Sequence, residues 1–215
     1  MRITDMRITP IAVADPPLRN AAGLHAPWAL RTIIELDAGG TTGLGEIPGN
    51  VDTDRALRKV ADIVVGSDPF NTSLLLERIR ERHGAELGEA RGEASFDQRT
   101  LVHVFSAVEV ACLDLAGKAV GKRVGDLLGG AVRERVPFAA YLFYKERGAG
   151  GELGVGGEPA ARGWSAARQE AALDPAGIVA QARAMCAEFV FRSIKLKGGA
   201  FPPDEEVAAI LALRR

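Results

Sequence analysis

Only two cysteines, Cys112 and Cys186, occur in 215 residues, so the chain cannot carry a disulfide framework or a cysteine-rich metal site. Both stand in predicted helices among small or apolar neighbours and read as buried thiols. No run of 18 apolar residues is present, and the start Met1-Arg2-Ile3-Thr4-Asp5-Met6 has no secretory hydrophobic region. Neither sign of charge is in excess. The formal net charge of −1 argues against nucleic acid or an anionic membrane as the main partner. What remains is 47% hydrophobic and 26% charged, which is ordinary globular composition with enough apolar content for a core, expected in the cytoplasm.

Alternation through Ile3, Met6, Ile8 and Ile11 predicts a strand that Asp15-Pro16-Pro17 breaks. A second strand is expected from Trp28 to Leu36. Asp37-Ala38-Gly39-Gly40 is a hairpin turn before Thr41–Glu46, which gives a three-stranded antiparallel sheet. Asp52 or Thr53 can cap a helix through Val65, and Thr72 or Ser73 one through Arg82. Residues 84–92 read as a charged loop. A buried helix is expected from about Arg99 to Val120, with Asp97 as candidate cap and His103, Glu109 and Asp114 as structural polar groups.

The pattern then changes. Residues 133–143 read as a strand, 146–163 as a long glycine- and alanine-rich loop, and Asp174-Pro175 as the start of a helix to about Phe191. A strand at 193–197 follows, and Pro202-Pro203-Asp204 opens a last helix. Strand, helix, strand, helix is the opening of a parallel β/α array. Two strands cannot close a barrel, so the chain is expected to be incomplete.

The run Ser193-Ile194-Lys195-Leu196-Lys197-Gly198-Gly199 carries most of the chemistry. On a strand, Lys195 and Lys197 share a face. Burying two ammonium groups side by side lowers the pKa of each, and a lysine so lowered can serve as a general base near neutral pH. The plain alternative is a solvated strand edge.

Four segments in order, Asn20–Pro27 with its histidine, Phe96–Lys118, Tyr141-Leu142-Phe143-Tyr144 and Ile194–Gly199, resemble the glucarate dehydratases. These belong to the mandelate-racemase-like branch of the enolase superfamily. The likeness covers essentially the whole chain. It implies an α+β capping domain (1–131; three-stranded antiparallel sheet plus helices) followed by the first two β/α units of a TIM-like (β/α)7β barrel (132–215), truncated. It further implies a hydro-lyase that dehydrates D-glucarate or L-idarate to 5-keto-4-deoxy-glucarate, with magnesium stabilising an enediolate. By the same likeness Lys197 would be the catalytic base, and Lys195 would lower its pKa and bind the carboxylate. His25 and Thr100 would hold the distal end of the substrate, and Tyr141 would line the pocket, with Phe143 a further lining candidate.

The magnesium ligands and second base of the family would lie beyond residue 215, so the chain alone is expected to be inactive. Asp204, Glu205 and Glu206 follow prolines at a helix start, where acidic side chains suit the dipole, and do not read as a metal site. Each site residue has a plainer role open to it: His25 packing in a turn beside Pro27 and Trp28, Thr100 an early helix residue, Tyr141 a core aromatic with a polar tip. The expected partner is a small-molecule sugar diacid, with no nucleic acid and no membrane, and a homo-oligomer is left open. Two other readings stand beside the dehydratase: a non-catalytic remnant or interaction module with an unpaired strand edge, and a related acid-sugar dehydratase or racemase.

Overall fold

The structure, a computed structural model, describes residues 1–89, 98–148 and 162–215, with 83–89 and 98–100 described by backbone alone. The chain divides into two units, Met1–Ile11 with Leu30–Val132, and Ala12–Ala29 with Arg133–Arg215.

The first unit holds the expected antiparallel sheet, β1 (Asp5–Ala14), β4 (Trp28–Ala38) and β5 (Thr41–Pro48), with β4 in the middle. Two-residue alternation buries Thr32, Ile34, Leu36 and Ala38 along β4 and Gly43, Gly45 and Ile47 along β5. The hairpin pairs Ala38 with Thr41. Against this face lie α1 (Val51–Val64), α2 (Thr72–Glu89) and α3 (Gln98–Val120), whose Leu57, Val60, Leu75, Ile79, Val104, Val108 and Leu115 complete one core.

α3 approaches β5 so closely that a Cβ at Gly43 would stand 2.2 Å from Ala111 O, and one at Gly45 2.2 Å from Ala107 O. Asp114 locks this approach, accepting from Leu44 N at 2.8 Å and from Lys118 Nζ at 2.7 Å, while Lys118 Nζ also donates to Thr42 O at 2.8 Å. Burial works against ionisation of Asp114, but Lys118 and the Leu44 amide outweigh it and hold the carboxyl below its usual range. The Asp114-to-Lys118 pattern is thus structural.

Several expected boundaries move. Asn50 caps α1 by accepting from Thr53 N, and Asn71 accepts from Leu74 N at the start of α2, so each helix begins before the expected cap. α2 continues to Glu89 where a loop was expected from residue 84, and the Asp97 cap lies outside the described residues. A short α4 (Val124–Leu127) closes the unit. Cys112 is buried as expected, and burial pushes its thiol up to about 12. Cys186 is exposed and not buried, because it stands at the edge of the helix face that Ile178, Gln181, Ala182 and Met185 bury.

The second unit is built on a four-stranded sheet in the order β3 (Gly23–Leu24), β2 (Leu18–Asn20), β6 (Ala139–Lys145), β7 (Ser193–Lys197). Segment 12–29 belongs to this unit because β2 pairs antiparallel with β6, Leu18 opposite Lys145. β6 and β7 are parallel and joined through α5 (Gly163–Ala167) and α6 (Pro175–Glu188), and α7 (Pro203–Leu213) follows β7. Asp174 caps α6 as expected, accepting from Gly177 N at 2.7 Å ahead of Pro175. β6 starts at Ala139 and not at 133, because its pairing with β7 opens at Ala139 opposite Ser193. Of the loop expected at 146–163, residues 149–161 lie outside the described residues and Gly163 opens α5. Ala140, Leu142 and Tyr144 point to a second core with Ile178, Ala182, Met185 and Ala209.

Candidate active site

Alternation along β6 decides the site. With Ala140, Leu142 and Tyr144 in the core, Tyr141 and Phe143 take the opposite face. The parallel register sets Tyr141 beside Lys195 and Phe143 beside Lys197. Lys195 Nζ stands 4.4 Å from the centroid of the Tyr141 ring, and the Tyr141 and Phe143 rings are 4.5 Å apart. Two lysines and two aromatic rings therefore share one face at the carboxyl ends of adjoining parallel strands, the end at which α/β arrays bind ligands. Both lysines are exposed, so the burial from which a lowered lysine pKa was expected is not present.

Tyr141 and Phe143 also line a cleft of about 290 Å³ with Asp15, Lys145, Trp164 and Arg168; Lys195 and Lys197 are not among its described lining residues. Arg168 pairs with Asp15 at 3.5 Å. Gln181 Nε2 donates to Phe143 O at 2.9 Å and so secures the strand end from α6.

His25 follows the β2–β3 hairpin, which pairs Arg19 with Leu24 and Asn20 with Gly23. Its backbone N–H donates to Leu18 O at 2.8 Å, and its ring Nε2 lies 2.6 Å from Asn20 Nδ2. Asn20 Oδ1 accepts from Ala22 N at 2.7 Å, which orients the amide so that Nδ2 is the donor and Nε2 the acceptor. With Nε2 the acceptor in this contact, Nδ1 is left as the ring N–H donor. Thr100 lies in the first turn of α3 and is described by its backbone alone.

Two residues not assigned to the site from sequence belong to its frame. Lys145 is 2% exposed, and its ammonium donates to the carbonyl oxygens of Ala167 at 3.2 Å, Arg168 at 2.9 Å and Glu170. Burial pulls its pKa down to about 8. The signal was present: a lysine two places beyond Phe143 continues the Tyr141–Phe143 face. Glu206 accepts from three consecutive amides, Gly199 at 3.0 Å, Ala200 at 2.8 Å and Phe201 at 3.0 Å. Burial opposes its ionisation and those amides more than offset this, so its carboxyl lies below the usual range. Among the described residues, no group of three or more His, Cys, Asp or Glu side chains is placed to hold a metal ion, so the described residues do not supply a magnesium site. No helix among them is long and apolar enough to cross a membrane.

No family model matches the chain. A Streptomyces coelicolor protein named "Probable glucarate dehydratase" is 44% identical over 224 residues, covering 99% of this chain and 49% of that protein. An enolase from Mycobacterium smegmatis complexed with tartrate is 47% identical with a TM-score of 0.81, covering 99% of this chain and 48% of that one. An enolase from Thermobispora bispora complexed with magnesium and formate is 46% identical with a TM-score of 0.83, covering 100% and 49%. The chain thus spans about half the length of these relatives. The three-stranded antiparallel sheet with its helices, and the parallel β6–β7 pair, fit a capping domain followed by a partial barrel. By sequence and by structure the chain is similar along essentially its whole length to a probable glucarate dehydratase and to enolases, over about half of the length of each.

Proposed function

We propose that the complete protein is an acid-sugar dehydratase in which this chain supplies one catalytic base and much of the substrate cradle. The observation that carries the reading is the β6–β7 register, which sets Lys195 beside Tyr141 and Lys197 beside Phe143, the two aromatic residues that line the cleft. Lys197 Nζ takes the proton from the carbon next to the substrate carboxylate. The electron pair left behind forms a C=C bond as the β C–O bond breaks; the departing hydroxide takes a proton from an acid assigned to the part of the protein outside this chain and leaves as water, and the resulting enol tautomerises to the keto-deoxy acid. Lys195, held over Tyr141, meets the carboxylate oxygen. His25 offers its Nδ1–H to the distal end of the substrate, and Thr100 is proposed as a further substrate-binding residue.

A diacid substrate fits three lines of support: the cationic face, the name of the Streptomyces relative and the tartrate held by the mycobacterial one. D-Glucarate and L-idarate are the substrates proposed. Magnesium enters the proposal from relatives crystallised with it. Its ligands are assigned to the part of the protein outside this chain, and on this reading the 215-residue chain alone is inactive.

The test is exchange of the substrate α-proton with deuterated water, followed by NMR in the complete protein. The wild type is expected to exchange glucarate or idarate and to release a keto-deoxy product, and Lys197→Ala is expected to abolish exchange at that carbon. Exchange retained in Lys197→Ala removes the base assignment. A panel of sugar diacids and monoacids separates this substrate class from a racemisable hydroxy acid.

A further inference from the structure

Strand β7 ends at Lys197, and the chain must turn at once to reach α7. That turn is held on three sides. Glu206, in the first turn of α7, gathers the N–H groups of Gly199, Ala200 and Phe201 on one carboxylate, Oε2 taking the first and Oε1 the other two. Successive amides converging on an anion form a rigid concavity, and hydrogen bonds to a charged acceptor are the stronger kind. Phe201 is clamped edge-on against Tyr144 with ring centroids 4.9 Å apart, and the Arg19 guanidinium lies 6.0 Å from its centroid on β2. Gly199 has φ +90°, and a Cβ there would stand 3.2 Å from Ala21 Cβ in the turn of the His25 hairpin. A Cβ on Gly198 would meet Glu206 Oε2 at 2.7 Å. The two glycines are thus what lets the turn close on Glu206.

We infer that Glu206 is a positioning residue for Lys197: its carboxylate ties the turn after the strand to α7 and fixes the strand end from which the lysine projects. The inference rests on the proposed function only for the role of Lys197 as base. A misplacement of about 1 Å at a reacting group can cost on the order of a hundredfold in rate, so a loosened turn should be felt at Lys197 without a change in the substrate contacts elsewhere.

Two variants of the complete protein probe the same contact from opposite sides. Glu206→Gln keeps one oxygen for two of the amides and turns an –NH2 group toward the Gly199 N–H. Gly198→Ala keeps the charge and displaces Oε2. Each is expected to speed hydrogen exchange at residues 199–201 by roughly tenfold or more. Each is also expected to lower kcat by about tenfold to a hundredfold with KM within about twofold. The ratio of Lys197 to Lys195 acetylation by a water-soluble acetylating ester, read by peptide mass spectrometry, should shift with both variants. Glu205→Gln, one residue away and outside the three contacts, should leave every readout unchanged.

Faster amide exchange with unaltered kcat and an unaltered acetylation ratio would make Glu206 a structural residue only and overturn the inference. Unaltered amide exchange would overturn it too. A wild-type protein that exchanges no α-proton would remove the dehydratase reading instead, and the acetylation ratio and amide exchange would still decide for or against Glu206.

Discussion

Lys195 Nζ lies 4.4 Å from the centroid of the Tyr141 ring, its direct neighbour in the β6–β7 register. A cation over an aromatic face gains about 0.5–1 kcal/mol at an exposed site, and Lys195 is exposed. The contact therefore restrains a long side chain that solvent would otherwise leave free. Tyr141→Phe retains the ring face, and Tyr141→Leu removes it. In the complete protein, Tyr141→Leu is expected to lower kcat/KM for the acid sugar about two- to fivefold relative to Tyr141→Phe, as that energy implies. Equal kcat/KM values for the two variants would show that the ring does not hold the lysine.

The tightest approach in the first unit predicts a sharp loss of stability. A Cβ at Gly45 would fall 2.2 Å from Ala107 O, a backbone atom inside α3 that cannot swing aside. Gly45→Ala must push α3 off β5 and strain the contacts of Asp114 to Leu44 and of Lys118 to Thr42. Overpacking of this kind typically costs about 1–3 kcal/mol, occasionally more. Denaturant unfolding should show a lower midpoint for Gly45→Ala, while Gly40→Ala, at a site with no atom within 4 Å of the added carbon, should lose only what its φ of +79° demands.

How far the fold could be read from sequence follows from the range of the interactions involved. Asp174-Pro175 sets a helix start through contacts three residues apart, and the pattern alone locates it. The β4–β5 hairpin and the common face of Lys195 and Lys197 rest on two-residue periodicity and are equally legible. The start of β6 is not, because Ala139 becomes a strand residue only by pairing with Ser193, far along the chain. β2 and β3, with three and two residues, are too short to show a period, so the histidine loop could be seen but not its hairpin. Glu206 carries the same lesson. An acid in a first helical turn satisfies the dipole rule without further comment, and its grip on the Gly199–Phe201 amides appears only when the turn is folded back on it.

Lys145 gives the pH dependence its sign. Burial lowers its pKa from 10.5 to about 8, with Arg168 adding to the effect, while Glu170 and Asp15 act the other way and the three carbonyls still hold the ammonium. Between about pH 8 and 10.5 the unfolded chain binds more protons than the folded one, so stability rises with pH across that window. Below it the cost of an ammonium in dry surroundings is constant, at most about 3 kcal/mol from the size of the shift. Lys145→Met removes the titrating group and leaves the carbonyls of Ala167, Arg168 and Glu170 without that donor, so the variant is expected to be less stable at every pH. The informative quantity is the difference in unfolding free energy between wild type and Lys145→Met, from urea titrations at pH 7, 9 and 10.5. It should grow from the lowest pH to the highest as the wild type sheds its proton, because the neutral amine keeps two N–H donors for the carbonyls and no longer carries the desolvation cost. A difference that stays flat would mean that the three carbonyls, and not burial, govern the protonation of Lys145.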